Sequence, residues 1–384
     1  MKLGNNKRLK IIRAATVPQS LDTFCRGILN ELSEKYEVIA LSSPGEALDR
    51  VANREGVRTI SVNMARHISL IQDVMSLFQL FIVFCKERPA MVHSMTPKAG
   101  LLCMVAGKLA GVPLRIHTFT GLVFPTSSGL KRKILVLTDK MTCAFATHVI
   151  PEGEGVKKDL IDYHITSKPM RVLGYGNVRG VDMAYYSRRK EVLEAANTVK
   201  IQGIFTFLFV GRIVGDKGIN ELMKAFIRLR KTKDNIRLIL VGKFEEKLDP
   251  INESSAEIIK NTKEIQYVGA KYGDELLAYY AASDCFVFPS YREGFPNTVL
   301  EAGAMGLPSI VTDINGSREI IVEGENGMII PSKDDNALYL AMKNMIDDGE
   351  SYIRMSKKTR TMIESRFEQS FVRKCLFDFY DEVM

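Results

Sequence analysis

The stretch Phe288–Pro308 reads FPSYREGFPNTVLEAGAMGLP, and it predicts how the second half of the chain folds. The run CFVFP at residues 285–289 overlaps its start and is typical of a buried strand. A helical pattern begins at Asn297, where Val299 and Leu300 start an apolar face. The sequence therefore predicts a strand, a glycine turn and a helix in direct succession.

The turn in this stretch has the features of a phosphate-binding site. A helix that starts after Gly294-Phe295-Pro296 leaves backbone N–H groups without partners and directs the positive end of its dipole at the turn. Glu293 and Glu301 flank this turn. Carboxylates near a phosphate are repelled unless they accept hydrogen bonds from hydroxyl groups, so a sugar nucleotide fits the pattern. The alternative is an ordinary strand-to-helix junction, with Glu293 solvated and Glu301 on an exposed helix face.

Composition indicates a globular protein of two domains. The chain has 384 residues, of which 46% are hydrophobic and 26% charged. Six cysteines occur without C-x-x-C pairing, which is typical of reduced core residues in a cytoplasmic protein. The longest apolar stretch, Val74–Cys85, is shorter than the ~20 residues that span a bilayer, so no integral membrane segment is expected. The helix predicted at Leu70–Cys85 is interpreted as mainly core, with a docking face as the alternative.

Basic residues are concentrated in the first half of the chain. The net charge is +8, and residues 1–182 carry 25 Lys and Arg against 15 Asp and Glu, a net charge of +10, which leaves −2 for residues 183–384. Such a distribution suits an anionic membrane surface or an anionic acceptor as well as it suits nucleic acid. The sequence has no aromatic-basic RNA signature and no helix-turn-helix pattern, so we expect no nucleic-acid partner.

Apolar strands alternate with amphipathic helices throughout, which predicts an α/β protein with a parallel sheet in each half. Strands are predicted at 10–15, 36–42, 90–93, 114–118, 148–150, 206–210, 237–241, 265–268, 284–289, 308–312 and 327–330. A glycine-rich connector, VLGYGNVRGVD at 172–182, places the domain boundary. We therefore predict domains at 1–178 and 179–365. Residues 366–384 are predicted to form the end of a single helix that starts near Ser351.

A second loop of the C-terminal half also suits phosphate. The stretch FVGRIVGDKG at 209–218 follows a strand and precedes the helix predicted at Ile219–Arg230. Arg212 can form bidentate hydrogen bonds to phosphate oxygens, and Lys217 adds a point charge, so both can neutralise a leaving diphosphate. A surface loop with solvated basic residues is the alternative. The segment Asn315–Glu319 is interpreted as a structural helix start.

Several segments resemble one family of enzymes. The order EGFPNTVLEAGAMGLPSIVT at 293–312 closely resembles the signature of the retaining nucleotide-sugar glycosyltransferases of family 4, which adopt the two-domain GT-B fold. The segments HSMTPKAGLL at 93–102, RIHTFTGLVF at 115–124 and SGLKRK at 128–133 look like its CapM-type branch, which builds bacterial surface polysaccharides. With GNVRGVD at 176–182, the resemblance covers nearly the whole chain.

The resemblance implies specific roles on the donor side. Arg212, Lys217 and Glu293 are implied to be catalytic, with Glu293 on the sugar hydroxyls and Glu301 on the ribose hydroxyls. The other implied donor-binding residues are Gly211, Gly242, Val268, Gly294, Phe295, Pro296, Asn297 and Thr298. The donor is expected to be a UDP-sugar and the acceptor a polyprenyl-diphosphate-linked saccharide at the inner face of the membrane, in capsule, O-antigen or exopolysaccharide synthesis. The family also suggests that the C-terminal helix crosses back to pack on the first domain.

On the acceptor side the resemblance is less direct. The candidate acceptor-binding residues are Ser20, Lys98, His117, Thr120, Gly121, Lys131 and Arg132. Thr120 occupies the position where many relatives have a histidine, and His117 lies three residues earlier. His117 is therefore either a site residue or a satisfied strand histidine. The cluster Lys131-Arg132-Lys133 could meet acceptor phosphates or anionic lipid headgroups, or form a solvated face.

Other patterns exclude or leave open further functions. A G-x-G-x-x-G motif is absent, which argues against a Rossmann dehydrogenase. The sequence has no D-x-D motif and no histidine pair at metal spacing, so we expect neither a metal nor another cofactor. Two alternative functions remain open at this point. One is a nucleotide-sugar 2-epimerase of the same fold, and the other is a basic nucleic-acid-binding protein without catalysis.

Overall fold

A computed structural model describes residues 8–65, 69–245 and 249–384, and the chain divides into two compact units. The first unit contains the residues up to Arg179 together with Val372–Met384, and the second contains Gly180–Phe371. Each unit is built on a six-stranded sheet whose strand pairs are all parallel. This architecture confirms the predicted α/β class with two Rossmann-like domains.

In the sheet of the first unit, the direction in which successive strands are added reverses after the third strand. Its strands are β1 (Lys10–Ala14), β2 (Glu37–Ser42), β3 (Arg58–Ser61), β4 (Met91–Met95), β5 (Leu114–Phe119) and β6 (His148–Pro151). They are arranged in the order β3-β2-β1-β4-β5-β6. The chain therefore builds outward from β1 to β3 and then returns to the other side of β1. The sequence did not predict β3, because this short edge strand is half-exposed and has no buried apolar run.

Helices cover the sheet of the first unit and occupy each crossover between strands. They are α1 (Pro18–Phe24), α2 (Ile28–Ser33), α3 (Glu46–Glu55), α4 (Leu70–Glu87), α5 (Pro97–Leu109), α6 (Gly129–Phe145) and α7 (Glu154–Asp162). The interpretation of residues 70–85 as mainly core is wrong. Only Ser76, Leu80 and Phe84 of α4 are buried, and the opposite side of the helix exposes large apolar side chains.

The second unit repeats this plan. Its strands are β7 (Phe205–Val210), β8 (Ile236–Val241), β9 (Ile265–Tyr267), β10 (Cys285–Phe288), β11 (Ser309–Thr312) and β12 (Gly327–Ile330). Its order is β12-β11-β10-β7-β8-β9. The helices from here to the end of the chain are α8 (Lys190–Asn197), α9 (Ile219–Arg230), α10 (Glu253–Asn261), α11 (Gly273–Ala282), α12 (Asn297–Ala304), α13 (Ser317–Ile320), α14 (Asp335–Asp347), α15 (Gly349–Phe367) and α16 (Gln369–Val383). The predicted strands and the helix at 219–230 agree with these bounds to within two residues.

The single C-terminal helix predicted from the sequence is two helices. α15 ends at Phe367, and Glu368 has extended backbone angles, φ −57° and ψ 136°. Glu368 forms an isolated parallel bridge with Val181, and this long-range pairing interrupts the helix. Gly180 makes the pairing possible, because a Cβ on it would lie 2.5 Å from the Cα atom of Gln369. The chain then continues as α16, most of which belongs to the first unit.

A buried polar cluster fastens α16 to the sheet of the first unit. Tyr380 is fully buried, and its hydroxyl accepts a hydrogen bond from Nη1 of Arg13 at 2.8 Å. The same hydroxyl is hydrogen-bonded to Nδ1 of His93 at 2.5 Å. Arg13 is 2% exposed, so Tyr380 supplies an oxygen to a buried cation that has little contact with water. Residues more than 360 positions apart are thus joined within one unit.

Candidate functional site

The residues predicted to bind the donor lie at the point of the second sheet where the strand order reverses, between β7 and β10. β7 is paired with β8 on one side and with β10 on the other, all in parallel. Crossovers leave these two adjacent strands in opposite directions, and the crevice beyond their carboxyl ends is where ligands bind in open α/β sheets. Gly211 and Arg212 follow β7, whereas Glu293 and the glycine turn follow β10. The fold therefore brings together two loops that are about eighty residues apart in sequence.

Lys217 and Glu293 form an ion pair at this crevice. Nζ of Lys217 contacts Oε1 of Glu293, and the two side chains are 14% and 17% exposed. Oγ of Ser290 donates a hydrogen bond to the same carboxylate oxygen at 2.9 Å. The ammonium group also lies 5.4 Å from the ring centroid of Phe288. The lysine expected at the phosphate and the glutamate expected at the sugar therefore neutralise each other.

Asp216 and Asp249 fix the loop that carries Lys217. The backbone N–H of Asp216 donates to Oδ2 of Asp249 at 2.5 Å, and the N–H of Gly215 donates to the carbonyl oxygen of Asp249 at 3.0 Å. Asp216 also pairs with Arg292 at 3.1 Å, and its carbonyl oxygen accepts from the N–H of Tyr291 at 2.8 Å. These contacts tie the lysine loop to the glutamate loop, so the position of Lys217 depends on both.

Two glycines let the loops approach this closely. Gly218 has φ 70°, and a Cβ on it would lie 2.1 Å from the carbonyl oxygen of Pro289. Gly242 has φ 152°, and a Cβ there would lie 1.7 Å from the carbonyl oxygen of Gly211. Because a side chain would collide with backbone at both positions, each glycine has a packing reason that is independent of any ligand.

The side chain of Arg212 is exposed, whereas the backbone N–H groups of Gly242 and Val268, two of the implied donor-binding residues, are hydrogen-bonded within the fold. The Arg212 side chain is 48% exposed and reaches Oε2 of Glu245 at 3.4 Å, so it remains open to solvent. The N–H of Gly242 donates to the carbonyl oxygen of Gly269, and that of Val268 donates to the carbonyl oxygen of Leu240. These two amides are therefore used within the fold, whereas the guanidinium of Arg212 can turn toward a ligand.

α12 begins directly after the turn, as the sequence predicts. Pro296 occupies the N-cap position and no side chain caps the helix, and the N–H of Val299 donates to the carbonyl oxygen of Pro296 at 3.1 Å. Glu301 is only 7% exposed, and the hydroxyl of Tyr280 donates to its Oε2 at 3.3 Å. The alternative that placed Glu301 on an exposed helix face is therefore wrong. Within the described part of the chain, the buried Oγ1 of Thr298 has no hydrogen-bond partner.

The segment Asn315–Glu319 packs against the glycine turn that precedes α12. Gly316 has φ 72°, and a Cβ on it would lie 2.4 Å from the carbonyl oxygen of Gly294 and 2.6 Å from Cα of Phe295. Its N–H donates to Oε1 of Glu319 at 3.1 Å, which fixes the start of α13. The structure thus gives this segment the packing role that was expected from its sequence.

The candidate acceptor residues lie in several elements of the first unit. Ser20 is in α1, Lys98 is in the first turn of α5, and Thr120 and Gly121 follow β5. Lys98 is paired with Asp73 at 2.6 Å. Lys131 and Arg132 are exposed in the first turn of α6, and the guanidinium of Arg132 lies 5.5 Å from the ring centroid of Tyr163. The first four residues thus follow the carboxyl ends of β1, β4 and β5, and Lys131 and Arg132 lie in the first turn of the helix that follows β5.

His117 is a buried histidine of β5. It is 1% exposed, and its Nδ1 is hydrogen-bonded to Oγ of Ser94 at 2.9 Å. A Cβ on Gly100 would lie 2.4 Å from its Cε1, so α5 packs directly on the ring. Burial lowers the pKa of His117 to about 3. This environment favours the strand-histidine interpretation over an open acceptor site.

Neither a candidate metal-binding group nor a candidate membrane-spanning helix occurs among the described residues. No group of three or more His, Cys, Asp or Glu side chains placed to hold a metal ion occurs in residues 8–65, 69–245 and 249–384. Across the same residues, none of the helices combines the length and the hydropathy required to cross a bilayer.

Comparison with known proteins decides the family. Residues 22–176 match the family model described as glycosyl transferase 4-like domain, and residues 194–362 match that of glycosyl transferases group 1. The chain is 30% identical over 377 residues to the Staphylococcus aureus capsular polysaccharide biosynthesis glycosyltransferase CapM, covering 98% of this chain and 97% of that protein. The chain belongs to glycosyltransferase family 4. The two alternatives, an epimerase and a nucleic-acid-binding protein, give way to this assignment.

Two further proteins similar to this family 4 glycosyltransferase extend the comparison. An Escherichia coli enzyme named UDP-Gal:alpha-D-GlcNAc-diphosphoundecaprenol alpha-1,3-galactosyltransferase is 29% identical, covering 82% of this chain and 81% of that protein. The crystal structure of Anabaena HepE in complex with UDP has a TM-score of 0.81 at 15% identity, covering 98% of this chain and 100% of that one. This likeness supports the GT-B fold.

Sequence reasoning about the glycosyltransferase missed the residues that position the loops. Asp249 precedes α10 in a polar segment and contacts Gly215 and Asp216 from more than thirty residues away. Ser290 lies three residues before Glu293, and its hydroxyl positions the carboxylate of Glu293 by a hydrogen bond. A serine three residues before a motif carboxylate was a usable signal, whereas the Asp249 contact depends on tertiary structure.

We predict that His117 makes the stability of the glycosyltransferase depend on pH. The folded state keeps the ring neutral, so protonation of the unfolded chain below pH ~6.5 favours unfolding, and stability is lost as pH falls toward the folded pKa of about 3. Relative to His117→Leu, the wild type should lose about 2 kcal/mol of unfolding free energy between pH 7 and pH 5. Urea unfolding at both pH values measures this difference. Replacing the exposed His164 with asparagine is the control, and a wild-type minus His117→Leu difference that stays constant with pH contradicts the prediction.

Proposed function

We propose that this glycosyltransferase moves a sugar from a UDP-sugar to a polyprenyl-diphosphate-linked saccharide, with retention of the anomeric configuration. The observation that carries the proposal is the paired Lys217 and Glu293 at the sheet crevice, beside the uncapped start of α12. The crevice offers a cation and helix amides for a diphosphate and a carboxylate for sugar hydroxyls. The names of two relatives, one in capsular polysaccharide biosynthesis and one acting on a diphosphoundecaprenol substrate, support the acceptor class.

In the proposed reaction, protein groups neutralise the leaving diphosphate without a metal ion or other cofactor. Arg212, Lys217 and the N-terminus of α12 supply this charge. Glu293 accepts hydrogen bonds from hydroxyl groups of the transferred sugar, and Glu301 accepts them from the ribose. Gly211, Gly294 and the neighbouring donor-side residues shape the crevice around these groups.

The bond changes in this proposal balance without a covalent intermediate. The bond between the anomeric carbon and the diphosphate oxygen breaks, and a bond from the same carbon to the acceptor oxygen forms on the same face. The acceptor hydroxyl proton passes to the departing phosphate. The products are the extended saccharide and UDP.

Binding and transfer assays test the donor proposal in sequence. Thermal unfolding with a panel of UDP- and GDP-sugars identifies the donor, because a ligand that binds only the folded state raises the midpoint according to its affinity. Transfer from that donor to a polyprenyl-diphosphate-linked sugar is then measured with and without EDTA. Stabilisation by GDP-sugars alone contradicts the UDP assignment, and activity that EDTA abolishes and Mg²⁺ or Mn²⁺ restores contradicts the metal-free mechanism.

The acceptor class also sets where the enzyme works. A polyprenyl chain keeps its diphosphate at a bilayer surface, so we propose that the enzyme acts as a peripheral protein at the cytoplasmic face of an anionic membrane. The net charge of +10 on residues 1–182 and the exposed cluster Lys131-Arg132-Lys133 support this location.

A further inference from the structure

One face of α4 exposes a continuous apolar surface. The α4 face consists of Leu70, Ile71, Val74, Met75, Phe78 and Ile82, whose exposed fractions lie between 48% and 80%. At 100° per residue, these side chains cover roughly 140° of the helix circumference. They extend along about 18 Å of the helix axis, at 1.5 Å per residue. The opposite side of α4 packs into the unit through Leu80 and Phe84, so the α4 face lies entirely outside the core.

This exposure is unusual even within the same unit. The exposed positions of α3 include Glu46, Asp49, Arg50 and Arg54, which is the ordinary composition of a solvated helix face. Between Leu70 and Cys85, the only charged residue of α4 is Asp73, and it is paired with Lys98 of α5. A contiguous apolar patch of this kind marks a surface that binds a partner or a membrane.

The charge on α4 and on the two helices that follow it selects the partner. α4 and α6 both pack on α5. These three helices expose six basic side chains, Lys86, Lys108, Lys131, Arg132, Lys133 and Lys140, and none of their three acidic residues is exposed. α6 also exposes Leu130, Leu137 and Met141 in addition to its basic residues. Apolar side chains interleaved with basic ones are the composition of helices that lie in the interface of an anionic bilayer.

We propose that the α4 face inserts into the interfacial region of an anionic lipid bilayer, and that the basic residues of α6 contact the headgroups. Apolar side chains of such helices reach ~5–10 Å into the boundary between headgroups and acyl chains, while basic side chains remain at the phosphates. A second copy of this chain is a poorer occupant, because these three helices expose no acidic side chain to pair with the basic residues of the copy. The inference rests on the proposed function, because a lipid-linked acceptor would require the enzyme to dock at a membrane. Its physical basis is the exposed apolar α4 face and the exposed basic side chains.

Vesicle flotation measures the docking directly. We expect the wild type to bind vesicles of phosphatidylglycerol and phosphatidylcholine, and to retain part of this binding at high salt because burial of apolar area is not screened. Val74→Ser combined with Phe78→Ser should weaken binding more than tenfold at either salt concentration. The charge reversals Lys131→Glu, Arg132→Glu and Lys133→Glu should weaken it mainly at low salt. Leu340→Ser with Ile353→Ser, exposed apolar positions of the second unit, is the matched control.

A fluorescent reporter locates the contact. The sequence contains no tryptophan, so Phe78→Trp introduces a single one into the α4 face. Its emission should shift to shorter wavelength when anionic vesicles are added, whereas that of Leu340→Trp should not. Equal flotation of the wild type and the Val74/Phe78 variant, or an unshifted Phe78→Trp emission, overturns the proposal. A dimer in solution that the same variant dissociates also overturns it.

Donor binding separates this inference from the proposed function. Thermal stabilisation by nucleotide sugars is measured on the same variants, and it should be unchanged because α4 lies in the first unit and the donor crevice in the second. If the wild type binds no nucleotide sugar but floats with vesicles and loses flotation in the α4 variant, the proposed function fails and the docking surface stands. If transfer to a lipid-linked acceptor proceeds without vesicle binding, the docking surface fails and the proposed function stands.

Discussion

Replacing Lys217 with alanine is expected to lower the rate of sugar transfer by on the order of 10²–10³-fold, the loss typical when one group that stabilises developing charge is removed. The ammonium group sits in the crevice beyond β7 and β10, where the proposed reaction develops negative charge on the diphosphate as the bond to the sugar breaks. Its effect should fall on kcat more than on the affinity for UDP. Steady-state kinetics with the identified donor, combined with calorimetric titration of UDP, separates the two quantities.

Lys224→Ala is the matched control for this substitution. Lys224 lies on α9, close in sequence to Lys217, and its side chain is 58% exposed with its nearest carboxylate, Asp335, at 4.0 Å. Removing it should leave transfer within about twofold of the wild type, because an exposed pair of this kind contributes little. Transfer by Lys217→Ala at near the wild-type rate, with an unchanged circular dichroism spectrum, would remove Lys217 from the mechanism.

Glu293→Gln is expected to abolish most transfer without weakening the binding of UDP. The carboxylate is paired with Lys217, so the amide variant leaves the ammonium group more available to phosphate. We expect UDP to bind at least as tightly as to the wild type, while transfer falls by about 10²-fold because the sugar hydroxyls lose a charged acceptor. Isothermal titration with UDP and rates with several UDP-sugars measure both effects, and the loss of rate should differ from one sugar to another.

Glu301→Gln provides the contrasting variant. This side chain is 7% exposed and paired with Tyr280, and it is proposed to hold the ribose, so its substitution should weaken UDP binding irrespective of the sugar. The two glutamates are thus expected to act on different parts of the donor. Identical kinetics for both variants, independent of the sugar offered, would contradict separate roles.

The strand, the turn and the helix start that form one side of the candidate donor crevice could be predicted from the sequence, because the residue patterns that indicate them are contiguous. The apolar run at 285–289, the turn at Gly294 and the start of α12 at Asn297 are contiguous, and the structure places all three as expected. The switch between β7 and β10 follows from the alternation of strands and helices. The contact between Lys217 and Glu293 does not, because it joins loops that are separated by three crossovers.

The errors also have physical causes. Apolar composition predicted that the helix at 70–85 would be mainly core, but hydropathy counts apolar residues and does not reveal which side of a helix meets a neighbour. The break at Glu368 escaped prediction because glutamate is an ordinary helix former and the interruption comes from its bridge to Val181. In both cases a long-range contact, or its absence, overrides the local pattern.

The return of α16 to the first unit also affects how the protein is made. The first unit is discontinuous in sequence. The hydrogen bond from its buried Arg13 to Tyr380 cannot form until the whole of Gly180–Phe371 has been synthesised. At about 5–20 residues per second, this delay lasts roughly 10–40 s on the ribosome. During biosynthesis the second unit, although later in sequence, can complete its fold before the first, in which Arg13 lacks the hydroxyl of Tyr380 until residues 372–384 emerge.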